Sequence, residues 1–157
     1  MKDGFTAARD ALHFINGAFT EGTSGRTFDN ISPATGKKIG VVHEGLAPEI
    51  DAAVTAARAA LRGPWGYMTQ AERSDMLYAV ADGINARFDD FLDAETLDTG
   101  KPRSLAKHVD IPRGAANFKV FADLVKNVPT ESFMLDTPDG KGALNYGVRK
   151  PKGVIAV

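Results

Sequence analysis

Apolar residues recur every three to four positions along four stretches of the chain, a spacing that predicts four amphipathic helices. The stretches are residues 48–61, 70–84, 88–97 and 104–127. Local signals agree: Pro48 suits the first turn of a helix, and Thr69 with Glu72 forms a T-x-x-E capping box before the second stretch. Gly100 can adopt the left-handed conformation that ends the third helix, and Pro102 prevents its continuation.

Two positions inside these helices oppose the pattern. Gly83 weakens a helix by ~1 kcal/mol relative to Ala, so we expect a close packing contact at that position. Pro112 has no N–H, and its ring clashes with the carbonyl four residues earlier. We therefore expect the last helix to break or kink near Asp110 and then to bury one apolar face up to Asn127.

Short alternating stretches around turn residues predict antiparallel hairpins. They lie at residues 13–19, 27–43 and 132–149. Asn16 and Gly17 form the turn of the first hairpin, because both tolerate positive φ. Residues 143–149 alternate away from the remaining core, so they predict an edge strand that needs a partner. The last four residues, V-I-A-V, are typical of a buried parallel strand.

Composition narrows the classes of function. The 157 residues are 43% apolar and 25% charged, as in a globular protein. A net charge of −1 with a pI near 6.3 offers no electrostatic surface for nucleic acid or an anionic membrane. The chain has no cysteine and its three histidines are scattered, so spacing predicts no zinc site. Charged residues interrupt the apolar positions near the N-terminus, which argues against a signal peptide. A cytoplasmic location is therefore expected. Residues 2–12 are expected to form a short helix.

Several sequence motifs stand in a recognisable order. The most specific is E-T-L-D-T-G-K-P at residues 95–102. The others are F-I-N-G-A-F (14–19), T-F-D-N-I-S-P-A-T-G-K-K-I (27–39), I-D-A-A-V-T-A-A-R-A-A (50–60), W-x6-E-R-S-x2-L (65–77), A-D-x-I (81–84) and R-K-P-K-G-V-I-A-V (149–157). In this order they resemble the N-terminal portion of the aldehyde dehydrogenase superfamily over nearly the whole chain. Residues 110–126 and 136–154 resemble the branch that oxidises 2-hydroxymuconic semialdehyde in aromatic-ring catabolism.

The resemblance implies a family with an α/β fold. Residues 1–157 of this chain would be the incomplete N-terminal part of its NAD-binding domain, and this part has an α+β organisation. It implies an oligomerisation hairpin at residues 132–150, hence a homo-oligomer, and a first strand of the nucleotide-binding sheet at residues 154–157. In the family a Cys nucleophile, a Glu base and a P-W-N motif act with NAD on the aldehyde. None of these motifs is present, so we assign no catalytic or cofactor-binding residue and expect the chain alone to be inactive and not to bind NAD. The alternative is a free-standing association module that uses the strand at residues 143–149.

The resemblance also implies a structural monovalent-cation site. Its ligands would be the backbone carbonyls of Asn30 and Ile31 and the carboxylate of Asp98. Oxygen ligands suit a hard cation, and the carbonyl dipoles at the end of the preceding helix favour positive charge. The alternative is that Asp98 caps the helix or pairs locally.

A substrate-binding position is implied at Arg113, with Asn117 one turn further along. In the family, the helix of residues 112–127 contributes to the wall of the substrate tunnel. An arginine there would suit a semialdehyde that carries a carboxylate, because its planar fork binds a carboxylate bidentately. The alternative is a surface ion pair between Asp110 and Arg113.

Overall fold

The structure is a computed structural model that describes residues 9–157. The helices are α1 (Ala47–Ala60), α2 (Pro64–Tyr67), α3 (Gln70–Ala86), α4 (Phe88–Thr99), α5 (Arg103–Leu105) and α6 (Ile111–Asn127), with a π-helical turn at Ala106–Asp110. The strands are β1 (His13–Ile15), β2 (Ala18–Thr20), β3 (Thr27–Ile31), β4 (Lys38–His43), β5 (Ser132–Leu135) and β6 (Ala143–Tyr146). The α+β organisation predicted from the sequence is confirmed.

The strands form three separate antiparallel pairs, β1 with β2, β3 with β4, and β5 with β6. The first hairpin turns at Asn16 and Gly17, whose φ angles are 52° and 81°, as their sequence predicts. A short helix was expected at residues 2–12, of which residues 2–8 lie outside the described residues. Residues 9–12 are not helical, and Ala11 forms an isolated parallel bridge with Val42.

The main core lies where α3, α4 and α6 meet. Leu92, Ala106 and Ile111 form a buried cluster, against which Ile84 and Phe88 pack. Where α3 crosses α6, small residues allow close approach, because Ala81 and Ala122 are both 0% exposed. Beside them the Tyr78 hydroxyl donates to the Asp123 carboxylate at 2.6 Å. This hydrogen bond raises the pKa of Tyr78 and ties the two helices together.

Helix caps follow the local signals. Thr69 and Glu72 form the predicted capping box, in which the Glu72 N–H donates to the Thr69 hydroxyl at 3.2 Å and the Thr69 N–H to the Glu72 carboxylate at 2.7 Å. Gly100 ends α4 with φ 70°. A side chain there would also meet Pro33, because a Cβ on Gly100 would lie 2.9 Å from its Cγ. Gly100 is thus fixed by both its conformation and its neighbour.

Three expectations were wrong in detail. Gly83 makes no close packing contact, since a Cβ there would meet nothing within 4 Å. The second strand of the last hairpin ends at Tyr146 and not at residue 149, although the Gly147 N–H still donates to the Glu131 carbonyl at 2.9 Å. Residues 154–157 form no strand in the structure, because strand pairing needs a second strand beside them and none of residues 9–153 supplies one.

The helix does not break before Pro112. Ala106–Asp110 forms one π-helical turn that leads directly into α6, and the Ile111 N–H donates to the Ala106 carbonyl five residues earlier. Asp110 keeps right-handed helical angles, φ −71° and ψ −50°. The wider turn makes room for the proline ring, so of the break or kink expected near Asp110 the break does not occur, and the hydrogen-bond ladder widens there instead.

Glu49 joins the loop before β3 to the start of α1. It is 5% exposed. One carboxylate oxygen accepts from the N–H and the hydroxyl of Thr23, both at 2.8 Å, and the other accepts from the Leu46 N–H at 2.9 Å. These hydrogen bonds, first that from Leu46, lower the pKa of Glu49 from 4.5 to about 2. The ionised carboxylate is therefore part of the fold.

We expect acid to release this loop. A carboxyl whose pKa is lower in the folded protein stabilises the fold fully above its unfolded pKa of 4.5 and loses that contribution as the pH falls toward about 2. Hydrogen exchange at the amides of Thr23 and Leu46 should lose protection over this range. In Glu49→Gln protection should be low at every pH, whereas Glu21→Gln, in the same loop, should behave as the parent. A transition that survives in Glu49→Gln would belong to another carboxylate.

No helix among residues 9–157 is both long enough and apolar enough to span a bilayer.

Candidate functional site

The π-turn and the start of α6 present the two residues predicted to bind substrate. Arg113 and Asn117 are both exposed and stand four residues apart, so they share one face of the helix. The buried residues Ile111, Ala115 and Ala122 occupy another face. Separation of these two faces agrees with the prediction, although Phe118, placed on the buried stripe from sequence, is 36% exposed.

The predicted alternative for Arg113, an ion pair with Asp110, is not formed. Asp110 instead accepts from the Lys101 ammonium at 2.7 Å. Within residues 9–157 the Arg113 guanidinium has neither an ion pair nor a side-chain hydrogen bond. An exposed arginine without an internal partner is available to bind an anion.

Lys101 lies between two carboxylates. Besides Asp110, the Glu95 carboxylate is 3.6 Å from its ammonium nitrogen. All three side chains are only partly exposed: 32% for Lys101, 28% for Asp110 and 32% for Glu95. The hydrogen bond to Asp110 is the main reason that the pKa of Lys101 is raised. Lys101 therefore stays charged and joins the end of α4 to the π-turn.

Sequence reasoning missed this cluster. Glu95 and Lys101 both belong to the E-T-L-D-T-G-K-P motif, but Asp110 lies nine residues beyond the lysine with no pattern that relates them. Their contact depends on the turn at Gly100 and on the direction in which α5 leaves it. The motif was the only signal available, and it was interpreted as a helix end.

The residues predicted to hold a cation come together from distant parts of the chain. The Asn30 side-chain amide donates to the Asp98 carboxylate at 2.8 Å, across 68 positions of sequence. The β3–β4 ladder shifts register between Asn30 and Ile31, and such a bulge disrupts the ladder hydrogen bonds locally. Asp98 thus pairs across the fold and not locally.

Two hydroxyl groups on the same two segments are buried without a partner. Ser32 follows Ile31 in the chain, and Thr96 lies two residues before Asp98; neither hydroxyl oxygen has a hydrogen-bond partner among residues 9–157. Ser32 is 1% exposed. The donor set of carboxylate, amide, carbonyl and hydroxyl oxygens is the kind that hard cations prefer, so the residues present fit the predicted site. The described residues hold no group of three or more His, Cys, Asp or Glu side chains that could bind a metal ion.

A groove in the described part of the chain lies elsewhere. It has a volume of about 480 Å³ and runs between α3 and the end of α6. Its lining residues are Gln70, Leu77, Phe121, Leu124, Val125, Val128 and Arg149. Leu124 is eleven residues beyond Arg113, about 16 Å along a helix, so this groove is separate from the predicted substrate position.

The last hairpin exposes apolar side chains on both faces. Met134 and Leu144 are paired across the strands and are 68% and 62% exposed. Tyr146, on the same face as Leu144, is 68% exposed, and Phe133, on the opposite face, is 62% exposed. A surface of this character is typical of an interaction site.

Over most of its length, the chain is similar to known proteins of one family. Residues 19–157 match the model of the aldehyde dehydrogenase family. The chain is 66% identical over 149 residues to a 2-hydroxymuconic semialdehyde dehydrogenase of Pseudomonas sp. (strain CF600), covering 95% of this chain and 31% of the relative. It is 48% identical over 145 residues to a 2-aminomuconic 6-semialdehyde dehydrogenase of Pseudomonas sp., covering 92% of this chain and 29% of the relative.

Solved structures agree with the sequence matches. The NAD+ complex of an aldehyde dehydrogenase from Bacillus cereus superposes with a TM-score of 0.80 at 37% identity, over 87% of this chain and 27% of that one. An indole-3-acetaldehyde dehydrogenase in its apo form gives a TM-score of 0.75 at 32% identity, over 78% of this chain and 28% of the other. The chain thus spans less than a third of the length of these relatives.

Proposed function

This chain belongs to the aldehyde dehydrogenase family, and we propose that it is the N-terminal part of an NAD-dependent enzyme that oxidises 2-hydroxymuconic semialdehyde to the carboxylate. The observation that supports this choice of substrate is the position of Arg113. Its guanidinium is exposed on α6 and has no partner among residues 9–157. A muconic-type semialdehyde carries a carboxylate at the end remote from the aldehyde. Arg113 binds that carboxylate bidentately, and Asn117 supplies a further donor.

NAD accepts the hydride when it is bound, and its use here rests on the relatives. Residues 9–157 contain three antiparallel strand pairs and no parallel sheet, so they do not fit the cofactor by themselves. The role of this chain is to orient the substrate through Arg113 and to support the fold. Asn30, Ile31 and Asp98 hold a structural monovalent cation that fastens β3 to the end of α4, and the hairpin of residues 132–150 joins subunits of a homo-oligomer.

A second candidate is a free-standing association module. The exposed side chains of Phe133, Met134, Leu144 and Tyr146 favour it, because they form a surface suited to self-association without any catalytic group. In that case the chain alone should assemble into a defined oligomer through the hairpin. Leu144→Asp should then abolish assembly.

The test joins residues 1–157 to the remaining part of the Pseudomonas sp. (strain CF600) relative, in place of its matching segment; we call this protein the joined enzyme. We expect it to reduce NAD with a muconic-type semialdehyde, while the 157-residue chain alone shows no activity and no saturable NAD binding. Sedimentation of the chain alone, with and without Leu144→Asp, tests the association module. Aldehyde oxidation by the chain alone, or a joined enzyme that prefers neutral aldehydes, would contradict the proposed function.

A further inference from the structure

We propose that Lys101 is a positioning residue for substrate binding: by holding Asp110, it keeps the Arg113 guanidinium free for the substrate carboxylate. The inference rests on the proposed function, because it assigns a role to a residue that acts through Arg113. Lys101 itself lies in the loop after α4 and is not placed at the substrate.

Asp110 and Arg113 have the spacing of a helical ion pair. The two residues are three positions apart, and the backbone is helical at the end of the π-turn and through the start of α6. Oppositely charged side chains at this spacing meet on a helix surface. An aspartate next to a substrate-binding arginine would compete with the substrate carboxylate for the same guanidinium group.

Lys101 removes this competition. Its ammonium lies 2.7 Å from the Asp110 carboxylate and 3.6 Å from that of Glu95. The Asp110 side chain is only 28% exposed, so solvent screens the pair less than it screens a pair at the open surface. Asp110 is therefore turned toward the end of α4, and the structure shows Arg113 without a partner among residues 9–157.

Glu95 determines the charge balance of the cluster. With two carboxylates around one ammonium, loss of Lys101 would leave Glu95 and Asp110 facing each other at close range. Repulsion would favour movement of Asp110 away from Glu95. Arg113 is the cation three positions along the same helix, so it is the partner that Asp110 would meet there.

The inference makes a specific prediction about kinetics in the joined enzyme. Lys101→Met should raise KM for the muconic-type semialdehyde by about 3- to 5-fold, the effect of one surface ion pair that competes for the arginine. The value of kcat, and the KM for a neutral aldehyde of similar length, should not change. Lys126→Met removes an exposed ion pair with Asp75 at the other end of α6 and serves as the matched control.

Rescue by a second substitution separates this role from a structural one. Asp110→Asn removes the competing charge, so Lys101→Met/Asp110→Asn should recover the parent KM, and Asp110→Asn alone should have little effect. If the pair only stabilised the fold, Asp110→Asn would be harmful and the double variant would not recover. That outcome, or equal loss with both substrates, would overturn the inference.

The same series distinguishes the inference from the proposed function. If Arg113→Ala impairs the semialdehyde but Lys101→Met does not, the inference fails while the proposed function stands. If Arg113→Ala has no effect on the semialdehyde, the proposed contact fails and the inference fails with it. An increase in KM for Lys101→Met that is absent in the Arg113→Ala background would support both.

Discussion

Replacing Arg113 by Ala in the joined enzyme is expected to raise KM for a carboxylate-bearing semialdehyde by about 10- to 100-fold, which corresponds to ~1.5 to 3 kcal/mol for a charge-assisted hydrogen bond. The guanidinium has no partner among residues 9–157, so its removal should not leave an unpaired carboxylate in the described fold. The loss should therefore appear in substrate binding and not in stability.

Two controls make this measurement decisive. A neutral aldehyde of similar length never uses the arginine, so its kinetics should be nearly unchanged. Arg103→Ala removes another exposed arginine in the same helical run, one that pairs with Asp93, and should leave both substrates unaffected. Equal loss of both substrates in Arg113→Ala would show that the residue supports the fold, and the semialdehyde proposal would lose its residue-level basis in this chain.

The second large effect is expected at Leu92. Its side chain is 1% exposed and lies in the cluster with Ala106 and Ile111. Leu92→Ala leaves a cavity that these neighbours cannot fill, and such substitutions cost about 2 to 5 kcal/mol of unfolding free energy. Because Ala106 begins the π-turn, the damage should reach the segment that carries Arg113.

The measurement is the thermal-unfolding midpoint of the joined enzyme and of its variants. Leu105→Ala is the matched control, since Leu105 is 47% exposed and the same atoms are removed from a half-open position. We expect a clear fall for Leu92→Ala and a much smaller one for Leu105→Ala. Equal shifts would mean that the cluster around Leu92 is not the principal core of this region.

Local chemistry explains why much of the fold could be predicted. The turn at Asn16 and Gly17 needs positive φ, and the box at Thr69 and Glu72 satisfies helix N–H groups that have no other partner; neither depends on distant residues. Gly83 was misjudged because a helix also tolerates a glycine where nothing packs against it, and here the position is open. Local rules carry no information about what lies across the fold.

The candidate site was predicted less completely for the same reason. Pro112 does disturb the helix ladder, but whether a helix breaks or widens depends on the tertiary contacts on either side of the proline. The contact between Lys101 and Asp110 and that between Asn30 and Asp98 are tertiary, and only the resemblance pointed toward the second. The roles of Arg113, Asn117 and the cation ligands stay predictions.

The π-turn also affects how this chain should be aligned with its relatives. One π-turn holds an extra residue compared with an α-helical turn, so it is equivalent to a one-residue insertion that leaves both flanking segments in place. A relative that lacks this extra residue would form a regular α-helix here, and the side chains that follow would keep their places in the fold. An alignment of two such sequences needs its gap within Ala106–Asp110. A gap placed after Arg113 would align this arginine with the wrong residue of the relative. A substrate specificity inferred from that pair of residues would then be mistaken.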